Sequence, residues 1–323
     1  MPDSYIHVED LCKHFTVRLK REKGALLRKK NRIDALRGVS FDVNRGELVG
    51  YIGPNGAGKS TTVKILSGIL TPDQGEVLVG GQVPWKDRKA HVRHVGVVFG
   101  QRMQLWWDVP IMDSYDLLRD IYRIPEHDYR ARIEELTEEL NLKDLLSTPL
   151  RQLSLGQRMR AELCGSLLHQ PELLFLDEPT IGLDAVSKLA LRNFLLRENR
   201  IHQTTILLTT HDMEDIAALC PRVMVLGHGQ KLYDGSLPEL LQKYDTLRTV
   251  TVRYEKTPVP FSLPSSVQFN QQGETLHLSY ENSSTSIDEL LPLLQQAGTI
   301  RELTVQPQNI DHLIADMYRE MGL

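Results

Sequence analysis

Cysteine, long apolar runs and an excess of positive charge are scarce or absent in this chain of 323 residues, and each absence narrows what it can be. The 3 cysteines, Cys12, Cys164 and Cys220, are odd in number, widely spaced and free of any C-x-x-C pair, which excludes a disulfide framework or a cysteine-based zinc site. Reduced, mostly buried thiols are the expectation. No apolar stretch approaches the roughly 20 residues needed to span a bilayer; runs such as 173–176 and 206–208 break off within a few positions. The opening MPDSYIHVEDLCKH carries acids where a secretory leader needs a basic start and then an apolar core, so a cytoplasmic location is expected. Lys+Arg at 38 against Asp+Glu at 42 give a formal net charge of -4, which lacks the broad positive field of a general nucleic-acid binder. Hydrophobic residues at 41% and charged residues at 25% suit a folded chain, and the length suggests about two domains.

Short β-rich runs alternate with longer helical patterns to about residue 235, which predicts an α/β domain with a partly parallel sheet. The strand candidates are 5–9, 38–43, 47–52, 95–99, 173–176, 204–210, 222–226 and 231–233. Residues 114–170 show helical apolar spacing, as in Ile133, Leu136 and Leu140, and predict an inserted helical subdomain. After Tyr233, Asp234 and Gly235 the composition shifts, with Pro258, Pro260 and Pro264 followed by Gln, Asn and Ser clusters. The pattern there is strand 247–254, strand 275–280, helix 287–296, strand 300–305 and helix 310–321, a small α+β domain. The expected division is therefore 1–235 and 236–323. Residues 18–32, RLKREKGALLRKKNR, form a basic insertion with 8 basic residues and one acid, expected as a hairpin or short helix projecting from the first sheet. Such a run is either a solvated face or a contact for anionic lipid headgroups.

Gly53, Pro54, Asn55, Gly56, Ala57, Gly58, Lys59 and Ser60 match G-x-x-x-x-G-K-[ST], after a β run and before a helical run that continues through Thr61. In that context the glycines let backbone N–H groups turn toward phosphate oxygens, and the helix N-terminus adds positive potential. Lys59 then bridges the β- and γ-phosphates of ATP while the Ser60 hydroxyl faces Mg²⁺. The apolar run 173–176 ends in Asp177 and Glu178, which places two carboxylates at the C-terminal edge of the sheet beside the phosphate loop. Asp177 suits Mg²⁺, directly or through water, and Glu178 suits activation of the attacking water. His211, at the end of strand 204–210, is placed to donate a hydrogen bond to the γ-phosphate.

Between these two motifs Leu153, Ser154, Leu155, Gly156 and Gln157 form a sequence that resembles the signature of the nucleotide-binding subunits of ABC transporters, with Leu155 where that family most often has Gly. The resemblance spans roughly residues 5–233. It implies a P-loop NTPase ABC-ATPase core that closes as an ATP sandwich dimer, with a second copy of the chain or a related ATPase. In such a dimer Ser154, Gly156 and Gln157 face the γ-phosphate held by the other subunit, and Asp184, in Gly182-Leu183-Asp184, communicates across the pair. The same resemblance implies that Gln101 touches Mg²⁺ and links the site to a transmembrane partner. It also makes Phe15 the aromatic that stacks on adenine, with core packing on the first strand as the alternative.

Trp106 and Trp107 fall in the loop that this family uses to receive a helix of the membrane subunit. One phosphate loop, one signature and no sustained heptads fit a transporter ATPase whose permease subunits are separate chains, held at the cytoplasmic face of the membrane. The stretch Gln306, Pro307, Gln308, Asn309, Ile310 resembles the ending of ATPases from drug and lipid exporters. The basic insertion followed by Ile33 to Phe41 is similar to that in polysaccharide and teichoic-acid exporters. Both point to export; the alternative is a soluble regulatory ABC-type ATPase without a transporter.

Overall fold

The computed structural model describes residues 4–18, 30–100, 103–244, 247–281, 284–307, 317–320 and 322. They fall into two compact units, Met1–Ser236 and Leu237–Gly322.

In the first unit β1 (Ser4–Arg18), β2 (Lys30–Asn44) and, after β3 (Leu48–Ile52), β4 (Gln74–Val79) supply an antiparallel sheet of order β2-β1-β4. The second sheet adds β5 (Val95–Phe99), β6 (Leu173–Asp177), β7 (Thr205–Thr209), β8 (Arg222–Gly227) and β9 (Gln230–Ser236), in the order β5-β6-β7-β3-β8-β9. All its pairings are parallel except that of β8 with β9. Every residue of β3 and β7 is buried, because both faces of the parallel sheet are covered, in part by the antiparallel sheet and in part by helices, which leaves no side for alternation.

The helices of this unit are α1 (Lys59–Leu66), the short α2 (Arg88–His91), α3 (Ile111–Tyr122), α4 (Glu126–Glu139), α5 (Leu155–Leu167), α6 (Ala185–His202) and α7 (Met213–Leu219). Four start on side-chain caps: Asp87 accepts from the Ala90 N–H, Ser154 from that of Gln157, Asp184 from that of Ser187, and Asp212 from those of Glu214 and Asp215. The core lies where Ile6, Val8 and Phe41 of the antiparallel sheet and Val63 and Leu66 of α1 meet Tyr51, Phe175 and Leu207 of the parallel one. Removing a side chain such as Phe175, which has no exposed surface, costs about 3–5 kcal/mol. Helices α3, α4 and α5 fill residues 111–167 without a strand. A buried ion pair, Arg132 on α4 with Glu198 on α6 at 2.9 Å, ties this helical segment to the α/β layer.

In the second unit α8 (Leu237–Tyr244) is followed by β10 (Leu247–Tyr254), β11 (Gln268–Gln272), β12 (Thr275–Glu281), α9 (Ile287–Ala297) and β13 (Ile300–Pro307). The sheet is antiparallel with order β11-β12-β10-β13. Alternate residues Val250, Val252, Tyr254, Leu276, Leu278 and Tyr280 pack with Leu290 and Leu294 of α9.

Several sequence expectations differ from this picture. Strand β4 was not expected, because Pro72, Asp73 and Gly75 around its start read as a turn. Strand β11, QFNQQ, is exposed throughout and carries no alternation to read. The first two strands are far longer than 5–9 and 38–43, and the basic insertion is shorter than 18–32: Arg18 pairs with Lys30, so Lys30 to Arg32 belong to β2. Residues 19–29 of that insertion, and most of the expected helix 310–321, lie outside the described residues. Among the described residues no helix is long and apolar enough to cross a membrane. Cys164 and Cys220 are buried and Cys12 partly so, all as free thiols.

His169, after α5, stacks on Tyr122 with ring centroids 3.9 Å apart, while its Nε2 contacts the Val95 carbonyl at 3.2 Å. Burial pulls its pKa from the ordinary 6.5 down to about 4, so the ring is neutral in the folded chain. The unfolded chain takes up a proton between those two values, so the stabilisation is complete above about pH 6.5 and is lost as pH falls toward 4. The full swing is about 3 kcal/mol. Urea unfolding at pH 7 and pH 5 is expected to show a smaller difference for His169→Phe than for the natural chain.

Candidate functional site

The phosphate loop runs from the end of β3 to the start of α1, and its shape is dictated by close backbone approach. Gly58 has φ of 110°, and a Cβ there would lie 2.6 Å from the Ala35 carbonyl oxygen. The loop wraps its own lysine: Lys59 Nζ donates to the carbonyls of Gly53 at 2.5 Å and Pro54 at 3.2 Å. Burial lowers the Lys59 pKa, and the fields of Glu178 and Asp177 partly oppose the shift.

Parallel pairing of β6 with β7 sets Asp177 beside Thr209. Asp177 Oδ1 accepts from the Thr209 hydroxyl at 2.5 Å and from the Ser60 hydroxyl at 3.5 Å, which joins the carboxylate to the first turn of α1. Glu178 turns sharply away with φ of 57°, a left-handed conformation that costs about 1–3 kcal/mol in a residue other than glycine. Its N–H donates to the Thr209 carbonyl at 2.8 Å, and the Gly100 N–H donates to the Asp177 carbonyl at 2.7 Å. Only glycine fits at position 100, since a Cβ would sit 2.0 Å from the Glu178 carbonyl oxygen. His211 Nδ1 lies 2.7 Å from Glu178 Oε2.

These groups surround a cavity of about 700 Å³. Its lining includes Phe15, Asn55, Gly56, Gly58, Lys59, Ser60, Thr61, Asp177, Glu178 and His211. Phe15 is 37% exposed and pairs across the sheet with Ile33, which also lines the cavity, so core packing does not describe it. Gly53, Pro54 and Ala57 shape the loop without lining the cavity, and Gln101 lies outside the described residues. Sequence reading missed Thr209, Gly100 and Ile33; the one signal for Thr209 was a polar residue ending the apolar run of β7.

Ser154, Gly156, Gln157 and Asp184 do not line this cavity. They form a second cluster where the starts of α5 and α6 touch. Ser154 and Gln157 cap each other, and a Cβ on Gly156 would lie 2.6 Å from Ser187 Oγ, next to the Asp184 cap. Further along α5 the buried Glu162 accepts backbone N–H bonds from Gln104 at 2.9 Å and Leu105 at 3.0 Å. Burial raises its pKa, and those bonds partly offset the rise. The loop that it holds presents Trp106 and Trp107, each 46% exposed, with the Arg158 guanidinium 4.5 Å from the Trp107 ring centroid.

A glycine-rich loop leading from a parallel strand into a helix, beside a strand that ends in two acids, defines a P-loop nucleoside triphosphatase. The family profile described as ABC transporter matches residues 36–181. The chain is 32% identical over 226 residues to the ABC transporter ATP-binding protein NatA of Bacillus subtilis, covering 70% of this chain and 90% of NatA. It is 35% identical over 242 residues to the Nod factor export ATP-binding protein I of Ralstonia nicotianae, covering 74% of each. It is 31% identical over 234 residues to the methionine import ATP-binding protein MetN 2 of Enterococcus faecalis, covering 71% and 68%. The solved structure of cbiO1 from Clostridium perfringens, part of the ABC transporter complex cbiONQ, superposes with a TM-score of 0.61 at 26% identity, covering 75% of this chain and 95% of that one. The chain belongs to the ABC transporter family, as an ATP-hydrolysing, ATP-binding subunit.

Gly100→Ala is expected to push the turn at Glu178 out of place, lowering unfolding stability by about 1–3 kcal/mol and ATP hydrolysis by a larger factor than ATP affinity. Phosphate release and nucleotide-binding titrations on the purified chain check this.

Proposed function

We propose that the chain powers a multi-chain exporter: two ATPase chains close on ATP, the closure drives separate membrane subunits, and hydrolysis at Glu178 resets the pair. The observation that carries the paired arrangement is the division of the site residues into two clusters. Lys59, Ser60, Asp177, Glu178 and His211 surround the cavity, while Ser154, Gly156, Gln157 and Asp184 stand away from it on the starts of α5 and α6. A second chain, identical or related, would bring its helix start, with capped N–H groups and positive dipole end, to the γ-phosphate. Export is supported by the relative named for Nod factor export, at 35% identity, against 31% for the one named for methionine import. A cytoplasmic site at the membrane, held through the permease subunits, follows from this role.

Within one cavity the division of labour follows from chemistry. Phe15 offers a π face to adenine. The Asn55 to Thr61 backbone and Lys59 hold the phosphates. The hydroxyl of Ser60 and carboxylate of Asp177 are the oxygen donors that Mg²⁺ favours, with Gln101 as a third candidate; they would hold it there, where it neutralises charge on the phosphate oxygens. Glu178 accepts the proton of the attacking water, and His211, whose Nδ1 lies 2.7 Å from Glu178 Oε2, donates a hydrogen bond to the γ-phosphate.

Glu178→Gln is expected to bind ATP as the natural chain does and to lose hydrolysis by about 10²–10⁴-fold, so that the ATP-bound pair accumulates. Size-exclusion chromatography with ATP and Mg²⁺ checks it, and a monomer that still hydrolyses at the natural rate would sink both the base and the pairing.

The exposed tryptophans suit a docking anchor for a membrane subunit, since aromatic side chains dominate such interfaces. Replacing Trp106 or Trp107 by Glu is expected to leave hydrolysis by the isolated chain within about twofold of natural. In membranes containing the co-purifying permease, the same change is expected to abolish coupled transport. Equal loss of both activities would refute the docking role.

A further inference from the structure

Glu178 and His211 meet at the cavity from two different turns, and apart from Gly100 on the N-terminal side of Glu178 the groups that hold these turns do not line it. Two residues past Glu178, the buried Thr180 donates its hydroxyl to Asp215 Oδ2. Asp215 has no exposed surface, and its other oxygen lies 2.5 Å from the Arg192 guanidinium on α6. One position past His211, Asp212 takes its N–H to the Thr210 hydroxyl at 3.0 Å and accepts from the Asp215 N–H at 3.3 Å. Its Oδ2 is the partner of Lys188, one helical turn before Arg192. None of Thr180, Lys188, Arg192, Asp212 and Asp215 lines the cavity.

This is an unusual use of buried charge. Asp215 is far from bulk water and could be replaced by an apolar group if packing were its only task, yet each of its oxygens is committed to a partner on a separate segment. One partner governs the backbone just after the left-handed Glu178; the other stands on the helix that Asp184 opens. A left-handed residue persists only where its surroundings leave it no alternative, and the Thr180 to Asp215 bond supplies that restraint on the C-terminal side, as the Thr209 carbonyl does at the Glu178 N–H.

We propose that Thr180, Asp215 and Arg192 are positioning residues that hold the Glu178 turn and the His211 turn in register, so that turnover depends on them and nucleotide binding does not. The proposal rests on the reading of Glu178 as the group that activates water. Because the cluster touches neither phosphate nor base, its loss leaves the phosphate loop intact and spoils only the aim of the carboxylate.

The test is steady-state ATP hydrolysis by the purified full-length chain and its variants Thr180→Val, Thr180→Ser, Asp215→Asn and the double Thr180→Val/Asp215→Asn, with folding followed by circular dichroism. Thr180→Val and Asp215→Asn are expected to lower kcat by about tenfold or more with KM within about twofold, and Thr180→Ser to return kcat to within about threefold of natural. The double variant is expected to be no slower than the worse single one, because Thr180→Val removes a bond that Asp215→Asn already weakens together with the Arg192 pair. A kcat unchanged in folded Thr180→Val, a KM that rises in step with the loss, or losses that multiply in the double variant would each overturn the proposal. Should Asp215→Asn fail to fold, the Thr180 pair decides alone. Glu178→Gln in the same assay separates the two readings: natural turnover there overturns the base and the cluster together. Its inactivity alongside a fully active Thr180→Val overturns the cluster only.

Discussion

The parallel pairing of β3, β6 and β7 is the constraint on which the site depends. In a parallel sheet every strand delivers its C-terminal end to the same edge, so Ile52 hands over to the phosphate loop, Asp177 to the Glu178 turn and Thr209 to His211 within one short stretch of surface. Side chains distant in sequence then meet without any of them having to reach far. Ser60 and Asp177, separated by 117 positions, sit at hydrogen-bond range because α1 and β6 begin and end at that edge. A slip by one residue would exchange side chains between two closely packed buried faces of different shape, which makes the register, and so the site, resistant to small errors.

Close backbone approach refines what the register delivers. Gly100 and Gly58 stand where a single added carbon would collide with a carbonyl oxygen, so the loops after β5 and β3 are pressed against neighbouring main chain. Such contacts exclude alternative loop conformations and hold Glu178 in an otherwise unfavourable geometry. Electrostatics acts on the same scale: Lys59, partly desolvated, faces two carboxylates whose fields favour its charged form.

Much of this could be read from the chain alone, where local pattern and chemistry coincide. The phosphate loop, the Asp177 and Glu178 strand end and the Ser154 cap each occupy a contiguous run, so their residue types and order are sufficient to locate them. What escaped was non-local or without pattern. Thr209 matters because of the strand beside it, and Gly100 because of the Glu178 carbonyl facing it. Strand β4 hides behind a turn-like start, and β11 is an exposed edge whose polar residues follow no period because neither face is covered. The two long strands β1 and β2 exceed their apolar cores, being stabilised beyond them by pairing to each other up to Arg18 and Lys30.

Glu162 gives the helical segment a mechanical property. A buried carboxylate that accepts from the main chain of Gln104 and Leu105 cannot release the buried Leu105 N–H without leaving both that group and itself desolvated and unpaired. The loop bearing the two tryptophans is therefore welded to the middle of α5, whose first turn carries Ser154 and Gly156. One buried side chain thus ties an exposed aromatic loop to the helix whose first turn carries Ser154 and Gly156.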